Sequence, residues 1–95
     1  MTTDDATRVR RRNDVSSRTS GEEMLLLDEA TGSVHVINRT AARVWELCAD
    51  EPSVEQLVDG IAETYGMTPA DVHDDVHELV RTFSELGVVE LLPAR

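Results

Sequence analysis

The stretch that decides the fold is Val34-His-Val-Ile-Asn-Arg-Thr-Ala-Ala-Arg-Val-Trp-Glu-Leu-Cys48, where the chain changes from a strand pattern to a helix pattern. Val34 to Ile37 is β-branched at three of four positions, which favours a strand. Asn38 is a preferred helix N-cap, because its side-chain oxygen accepts a hydrogen bond from a free backbone N–H. The residues after it predict a helix ending near Ala49, because apolar side chains recur at three- and four-residue spacing. These side chains are Ala41, Val44, Trp45 and Cys48.

Upstream of this stretch, the sequence predicts two further strands. Glu22 to Leu27 is apolar on both faces, and residues 28–32 have the composition of a hairpin connection to Val34. Residues 15–19 predict a short polar strand that precedes them. The first twelve residues are polar, charged and aperiodic. We therefore expect a flexible arm over residues 1–12 and a single domain over residues 13–92.

Downstream, the sequence predicts two more helices and a short final segment. Residues 53–66 begin with the capping box Ser53-Val-Glu-Gln56 and end with a glycine, and residues 68–87 begin with Thr-Pro and also end with a glycine. Residues 88–92 are too few for another helix and predict a strand or extended tail. The fold class is therefore α+β: a winged helix-turn-helix, with a three-stranded antiparallel sheet, three helices that cover one side of it and a short C-terminal strand.

Length and composition exclude several classes of protein. A chain of 95 residues, 40% of them apolar, supports one small domain. No apolar run approaches the ~20 residues of a membrane-spanning helix. The first residues lack the apolar stretch of a secretory signal, so we expect a cytoplasmic protein. Cys48 is the one cysteine, which excludes an intrachain disulfide.

The charge of the chain disfavours nucleic acid and membrane surfaces as partners. The net charge is −10, divided into +2 over residues 1–20 and −12 over residues 21–95. Such a field repels phosphates, so a partner should be neutral or basic. A winged helix nevertheless raises the alternative of a DNA-binding transcription regulator. Its third helix would have to enter the major groove, but residues 69–86 carry five acids against Arg81 alone.

Two histidines raise a second alternative, a metal-dependent hydrolase. His73 and His77 are four residues apart on the third predicted helix, a spacing that suits a zinc pair, and Asp74 follows the first of them. The metalloprotease motif has a glutamate at that position. No third ligand is evident except His35. We therefore interpret the pair as part of a solvated helix face and expect no metal and no cofactor.

The remaining reactive residues also favour structural roles. Cys48 lies on the apolar helix face beside Trp45, where a thiol is normally a small buried hydrophobe. Trp45 itself is expected at the centre of the core. The arginine cluster at residues 8–12 is expected to belong to the mobile arm. No glycine-rich phosphate loop or catalytic triad can be assembled, so we expect a protein that is not an enzyme.

The order and spacing of four short motifs resemble the PqqD family over residues 22–90. The third strand leads through Val36-Ile-Asn38 into Thr40-Ala-Ala-x-Val-Trp-Glu-Leu-Cys48, which is similar to the family's strand, Leu-Asn and xTGAxIWELC stretch. Ser53-Val-Glu-x-Leu57-Val corresponds to its TVEEIV. Asp71-Val leads to Leu86-Gly-Val-Val89, which is similar to its DVxxFLxxLxxxGLL. Ile37 and Ala41 depart from the usual Leu and Gly.

The resemblance implies a RiPP recognition element, a non-catalytic adaptor that binds the leader segment of a ribosomally made precursor peptide. Such an adaptor presents the leader to a protease, cyclase or radical enzyme, and this chain is most like the stand-alone members of lasso peptide pathways. In the family, the leader adds as a strand beside the third strand, in a groove walled by the third helix. Carried over to this chain, the peptide-binding residues are Val34, His35, Val36, Ile37, Asp75, Val76, Leu79 and Phe83.

Overall fold

The computed structural model describes residues 4–94. It contains five strands and three helices, with a short 3₁₀ turn at Cys48–Asp50 after the first helix. In chain order they are β1 (Arg8–Arg11), β2 (Val15–Ser20), β3 (Glu23–Asp28), β4 (Ser33–Ile37), α1 (Arg39–Leu47), α2 (Val54–Tyr65), α3 (Pro69–Leu86) and β5 (Val89–Leu92). The α+β fold class, with its three-stranded antiparallel sheet, three helices and C-terminal strand, is confirmed.

The strands form two antiparallel sheets. The larger has the order β2-β3-β4, so β3 is central and β2 and β4 are its edges. The smaller pairs β1 with β5, with Arg8 opposite Leu92 and Arg11 opposite Val89. None of the helices within residues 4–94 is long and apolar enough to cross a membrane.

The strand β1 corrects the expectation of a flexible arm over residues 1–12. Arg8–Arg11 pairs with β5, and Val9 is fully buried and donates its N–H to the Pro52 carbonyl at 2.9 Å. Val9 is the one apolar residue among four arginines, so the sequence carries no alternation that would predict a strand. The structured region therefore begins upstream of Asn13, while residues 1–3 of the expected arm lie outside the described residues.

The helix ends follow from local side-chain chemistry. The Asn38 side chain accepts the Ala41 N–H at 2.9 Å at the start of α1, as predicted. Ser53 and Gln56 form the predicted capping box at α2, each side chain accepting the other residue's backbone N–H. At α3, the Thr68 hydroxyl donates to the Asp71 carboxylate at 2.8 Å. Gly66 ends α2 with φ of 64°, a left-handed conformation that glycine adopts without steric cost.

The core lies between the helices and one face of the larger sheet. Trp45 is 2% exposed and meets Phe83 edge to face, with ring centroids 6.1 Å apart. The prediction that Trp45 is a central core aromatic is confirmed. The sheet contributes Met24, Leu26 and Ile37 to the same core. The opposite face of the sheet is left uncovered by the helices.

Candidate functional site

Among the described residues, the strand β4 has a strand neighbour on one side only. Within residues 4–94 it pairs with β3, and it forms one edge of the three-stranded sheet. An edge strand presents backbone N–H and C=O groups that another chain can use. The prediction that residues 34–37 form an edge strand is confirmed, whereas their role in peptide binding remains a prediction.

The register identifies which β4 residues direct their backbone outward. The Glu29 N–H donates to the Asp14 carbonyl at 2.8 Å, which continues the β2–β3 ladder beyond Asp28. Antiparallel ladders alternate, so Leu25 and Leu27 direct their polar groups toward β2, and Leu26 directs its own toward β4. Since the residues opposite Leu25 and Leu27 are Val36 and Val34, these two valines direct N–H and C=O away from β3.

The side chains of β4 alternate between two different environments. Val34 and Val36 are 58% and 59% exposed on the uncovered face of the sheet. They lie opposite Leu27 and Leu25, and this face has a shallow depression of about 390 Å³ whose apolar lining includes Leu25, Leu27 and Val34. His35 and Ile37 point to the other face, where Ile37 is buried in the core. An added strand would therefore meet apolar side chains on one face and the helix layer on the other.

The α3 residues predicted to wall a groove divide into two sets. Val76 and Phe83 are 0% and 1% exposed and belong to the core together with Ile37. Leu79 is partly buried and packs against that core from its boundary, and Asp75 is exposed. Of the four, Leu79 and Asp75 therefore remain accessible to another molecule, while Val76 and Phe83 are core residues.

The outer surface of α3 is acidic. The single cation of this helix, Arg81, is paired with Glu78 and also lies 3.7 Å from Glu85. Asp74 and Asp75 are exposed beyond this pairing. A helix with this charge is repelled by DNA phosphates, so the structure gives the DNA-binding alternative no support.

Three of the four arginines within residues 8–12 pair with acids, whereas Arg11 lies over the Trp45 ring, 5.2 Å from its centroid. Arg10 contacts Glu90 at 2.7 Å across the β1–β5 pair, and this hydrogen bond, together with the nearby charge, raises the pKa of Arg10. Arg12 contacts Asp14 at 2.6 Å and donates to the Gly87 carbonyl at 2.7 Å. These arginines fasten β1 to the domain rather than form a free cationic patch.

Cys48 is not activated as a nucleophile. It is 1% exposed, and burial raises the pKa of its thiol to about 12, against a small opposing effect of the Arg11 charge. The thiolate form that reacts is therefore scarce at neutral pH. The prediction that Cys48 is a core residue is confirmed.

The prediction that no residue except His35 could join His73 and His77 as a third metal ligand is wrong. The Asp5 carboxylate lies within hydrogen-bonding distance of both imidazoles. His35 lies on β4 and takes no part in this cluster. Asp5 is 68 residues away from His73 in the chain, and it lies in a segment whose sequence gives no sign of order, so no local pattern could have identified it.

The architecture defines a class: a small winged helix-turn-helix domain with an acidic third helix and an open edge strand beside an apolar sheet face. A family model described as coenzyme PQQ synthesis protein D (PqqD) matches residues 23–89. The chain belongs to the PqqD family, as the motifs predicted.

Two solved structures have the same fold. The complex of lasso peptide synthetase B1 with the leader peptide superposes with a TM-score of 0.73 at 26% identity, covering 86% of this chain and 96% of that one. The structure of TbiB1 in complex with the TbiA(beta) leader peptide superposes with a TM-score of 0.75 at 23% identity, covering 85% and 94%. No curated protein matches by sequence.

Proposed function

We propose that this protein is a leader-peptide adaptor that binds the leader as an added strand along β4. The observation that carries the proposal is the outward-directed backbone of Val34 and Val36 at an edge that no strand within residues 4–94 covers. The leader complexes of lasso peptide synthetase B1 and its structural relative support it. Backbone pairing gives affinity that tolerates sequence variation, and flanking side chains give specificity.

The alternation of β4 assigns two roles to the side chains of the bound leader. Leader residues on the uncovered face pack beside Val34 and Val36, next to the depression that contains Leu25 and Leu27. Leader residues on the other face point toward the helix layer, where Leu79 of α3 is partly exposed. Apolar leader side chains at alternate positions would fit both environments.

The charge of α3 adds a preference for a basic leader. Asp75 is exposed on the same helix as Leu79. Glu78 is also exposed, and its carboxylate pairs with Arg81. Attraction between these acids and a Lys or Arg of the leader accelerates association more than it strengthens the final complex. We extend the proposal to a lasso-type pathway, in which the adaptor presents the leader to a protease or another modifying enzyme.

In this proposal the protein itself carries out no chemistry. The candidate nucleophile Cys48 is buried, and Arg8 and Arg10 of β1 are paired with acids. The adaptor brings two molecules together, and the reaction belongs to the enzyme that receives the leader.

Nuclear magnetic resonance gives the direct test. The ¹⁵N-labelled protein is titrated with leader peptides of lasso-type precursors, and a scrambled leader of the same composition is the control. We expect the largest amide shifts at residues 33–37 and around Leu79. Shifts confined to α1 and α2, with residues 33–37 unperturbed, would contradict the proposal.

A further inference from the structure

Asp5, His73 and His77 bring three metal-ligating side chains to one point on the surface. Asp5 Oδ1 lies 3.0 Å from His73 Nε2 and 2.8 Å from His77 Nε2. The two imidazole rings lie side by side along α3, with their centroids 4.4 Å apart and their planes tilted by 39°. A single carboxylate oxygen thus faces the same nitrogen of both rings.

We infer that these three side chains bind one Zn²⁺ ion. Zinc holds imidazole nitrogens and carboxylate oxygens at about 2.0–2.2 Å in a tetrahedron, which places the ligand atoms about 3.3 Å apart. The present separations of Asp5 Oδ1 from the two nitrogens need to increase by only a few tenths of an ångström. Two histidines at positions i and i+4 of a helix present their rings on one face, as this geometry requires.

A fourth residue orients one of the ligands. Asp74 Oδ1 lies 3.2 Å from His73 Nδ1, and it can accept a hydrogen bond from the N–H group at this position. A carboxylate in this position fixes the ring orientation and leaves the Nε2 lone pair available to the metal. The hydrogen bonds that His73 donates to the Asp74 carboxylate and then to the Asp5 carboxylate also raise the pKa of His73. The same contact with two imidazoles, first His77 and then His73, lowers the pKa of Asp5.

Asp5 is held in place by the backbone of α2 rather than by the histidines alone. Its carbonyl accepts the Glu55 N–H at 3.0 Å, and the Thr7 carbonyl accepts the Val54 N–H at 2.9 Å. These donors belong to the first turn of α2, where N–H groups lack partners inside the helix. The Asp4 carboxylate closes the turn by accepting the N–H groups of Ala6 and Thr7, both at 2.9 Å. The third ligand is therefore positioned before any metal arrives.

The donor set and its exposure define the kind of metal site. Two imidazoles favour zinc and related transition metals over Mg²⁺ and Ca²⁺, which prefer oxygen ligands. The side chains of Asp5, His73 and His77 are 53%, 43% and 23% exposed, so water can supply the fourth ligand. The ion would join the N-terminal segment to α3. This inference does not depend on the role proposed for β4.

Metal titration of the full chain tests the inference. The protein is stripped with a chelator, dialysed, and titrated at pH 7.5 with ZnCl₂ by calorimetry and with CoCl₂ by visible absorption. We expect one ion per chain, cobalt bands typical of four- or five-coordination, and a rise in the melting temperature on the order of 10 °C at 100 times the dissociation constant.

Three variants assign the ligands. His77→Gln is expected to weaken zinc binding at least about 100-fold, and Asp5→Asn at least about tenfold, because each removes a direct ligand. His35→Gln, which changes the histidine outside the cluster, is the matched control and should keep wild-type affinity. The absence of saturable one-to-one binding, or binding that survives His77→Gln, would overturn the inference. Binding that survives Asp5→Asn while His77→Gln loses it would overturn the three-ligand site.

Discussion

Replacing Val36 by proline separates backbone pairing from side-chain recognition at the β4 edge. Proline has no N–H, and the Val36 N–H points away from β3. The β3–β4 ladder therefore keeps its hydrogen bonds, and the lost side chain is already 59% exposed. Proline is also tolerated on edge strands where the N–H side faces solvent. We expect the fold to persist and leader binding to weaken.

The expected loss follows from one hydrogen bond. A typical hydrogen bond within a protein contributes about 0.5–1.5 kcal/mol net, and we take the same range for the bond to the leader; 1.4 kcal/mol is a factor of ten in affinity. The missing donor alone thus weakens leader binding by about two- to tenfold, and the ring adds a steric obstacle to the approaching strand. Fluorescence anisotropy with a labelled leader resolves a change of this size. The melting temperature, measured in parallel, reports the fold.

Two further variants make the experiment decisive. Ser17→Pro is the matched control, because Ser17 lies opposite Leu26 on the other edge strand and also directs its N–H away from β3. It should leave leader affinity unchanged. His35→Pro removes an N–H that the register directs to β3, so it should lower the melting temperature. Wild-type leader affinity in Val36→Pro, or an equal loss in Ser17→Pro, would refute strand addition at β4.

Three other variants or reactions test the core and the charge of the site. Trp45→Ala should lower the free energy of unfolding, measured in urea, by about 3–5 kcal/mol, because the side chain is 2% exposed. An unchanged urea midpoint of unfolding would show that Trp45 is peripheral. Cys48 should react with a thiol reagent about a thousandfold more slowly in the folded protein than in urea, since burial raises its pKa from 9.0 to about 12; equal rates would contradict the burial. Asp75→Asn should slow association with a basic leader at low salt and have no effect at high salt, whereas Glu63→Gln on α2 should have no effect at either; a change in dissociation rate alone would oppose a steering role.

The parts of the fold that the sequence predicts are those that depend on contacts between residues close together in the chain. Asn38 caps α1 and Ser53 caps α2 through contacts that span three residues, so their types and spacing are sufficient. The strand β1 could not be predicted in this way, because its burial depends on Val9 alone and Arg10 pairs with Glu90, 80 residues away in the chain. Local periodicity cannot report a partner that folding brings from a distance.

The candidate site likewise contains residues that local sequence predicts and residues that only the folded structure identifies. Residues 34–37 are predictable as a strand. The hairpin with β3 makes this strand an edge of the sheet unless a further strand pairs with its other side. The periodicity of α3 selects Val76, Leu79 and Phe83 together, because all three lie on one face of the helix. Only the packing distinguishes the buried pair from Leu79 at the boundary. Asp5 could not be predicted at all, because its position is set by N–H groups of α2.

The pairing of β1 with β5 has a consequence for how the domain can be joined to other proteins. Arg8 lies opposite Leu92, so the start of β1 and the end of β5 are about 5 Å apart. Residues 4–7 precede β1 and are held by the first turn of α2, so a partner fused after β5 would emerge beside β1 and this segment. A linker from the end of β5 to residue 4 could move the chain break into the exposed hairpin at residues 29–32, giving a circular permutant in which β1 keeps the segment that precedes it.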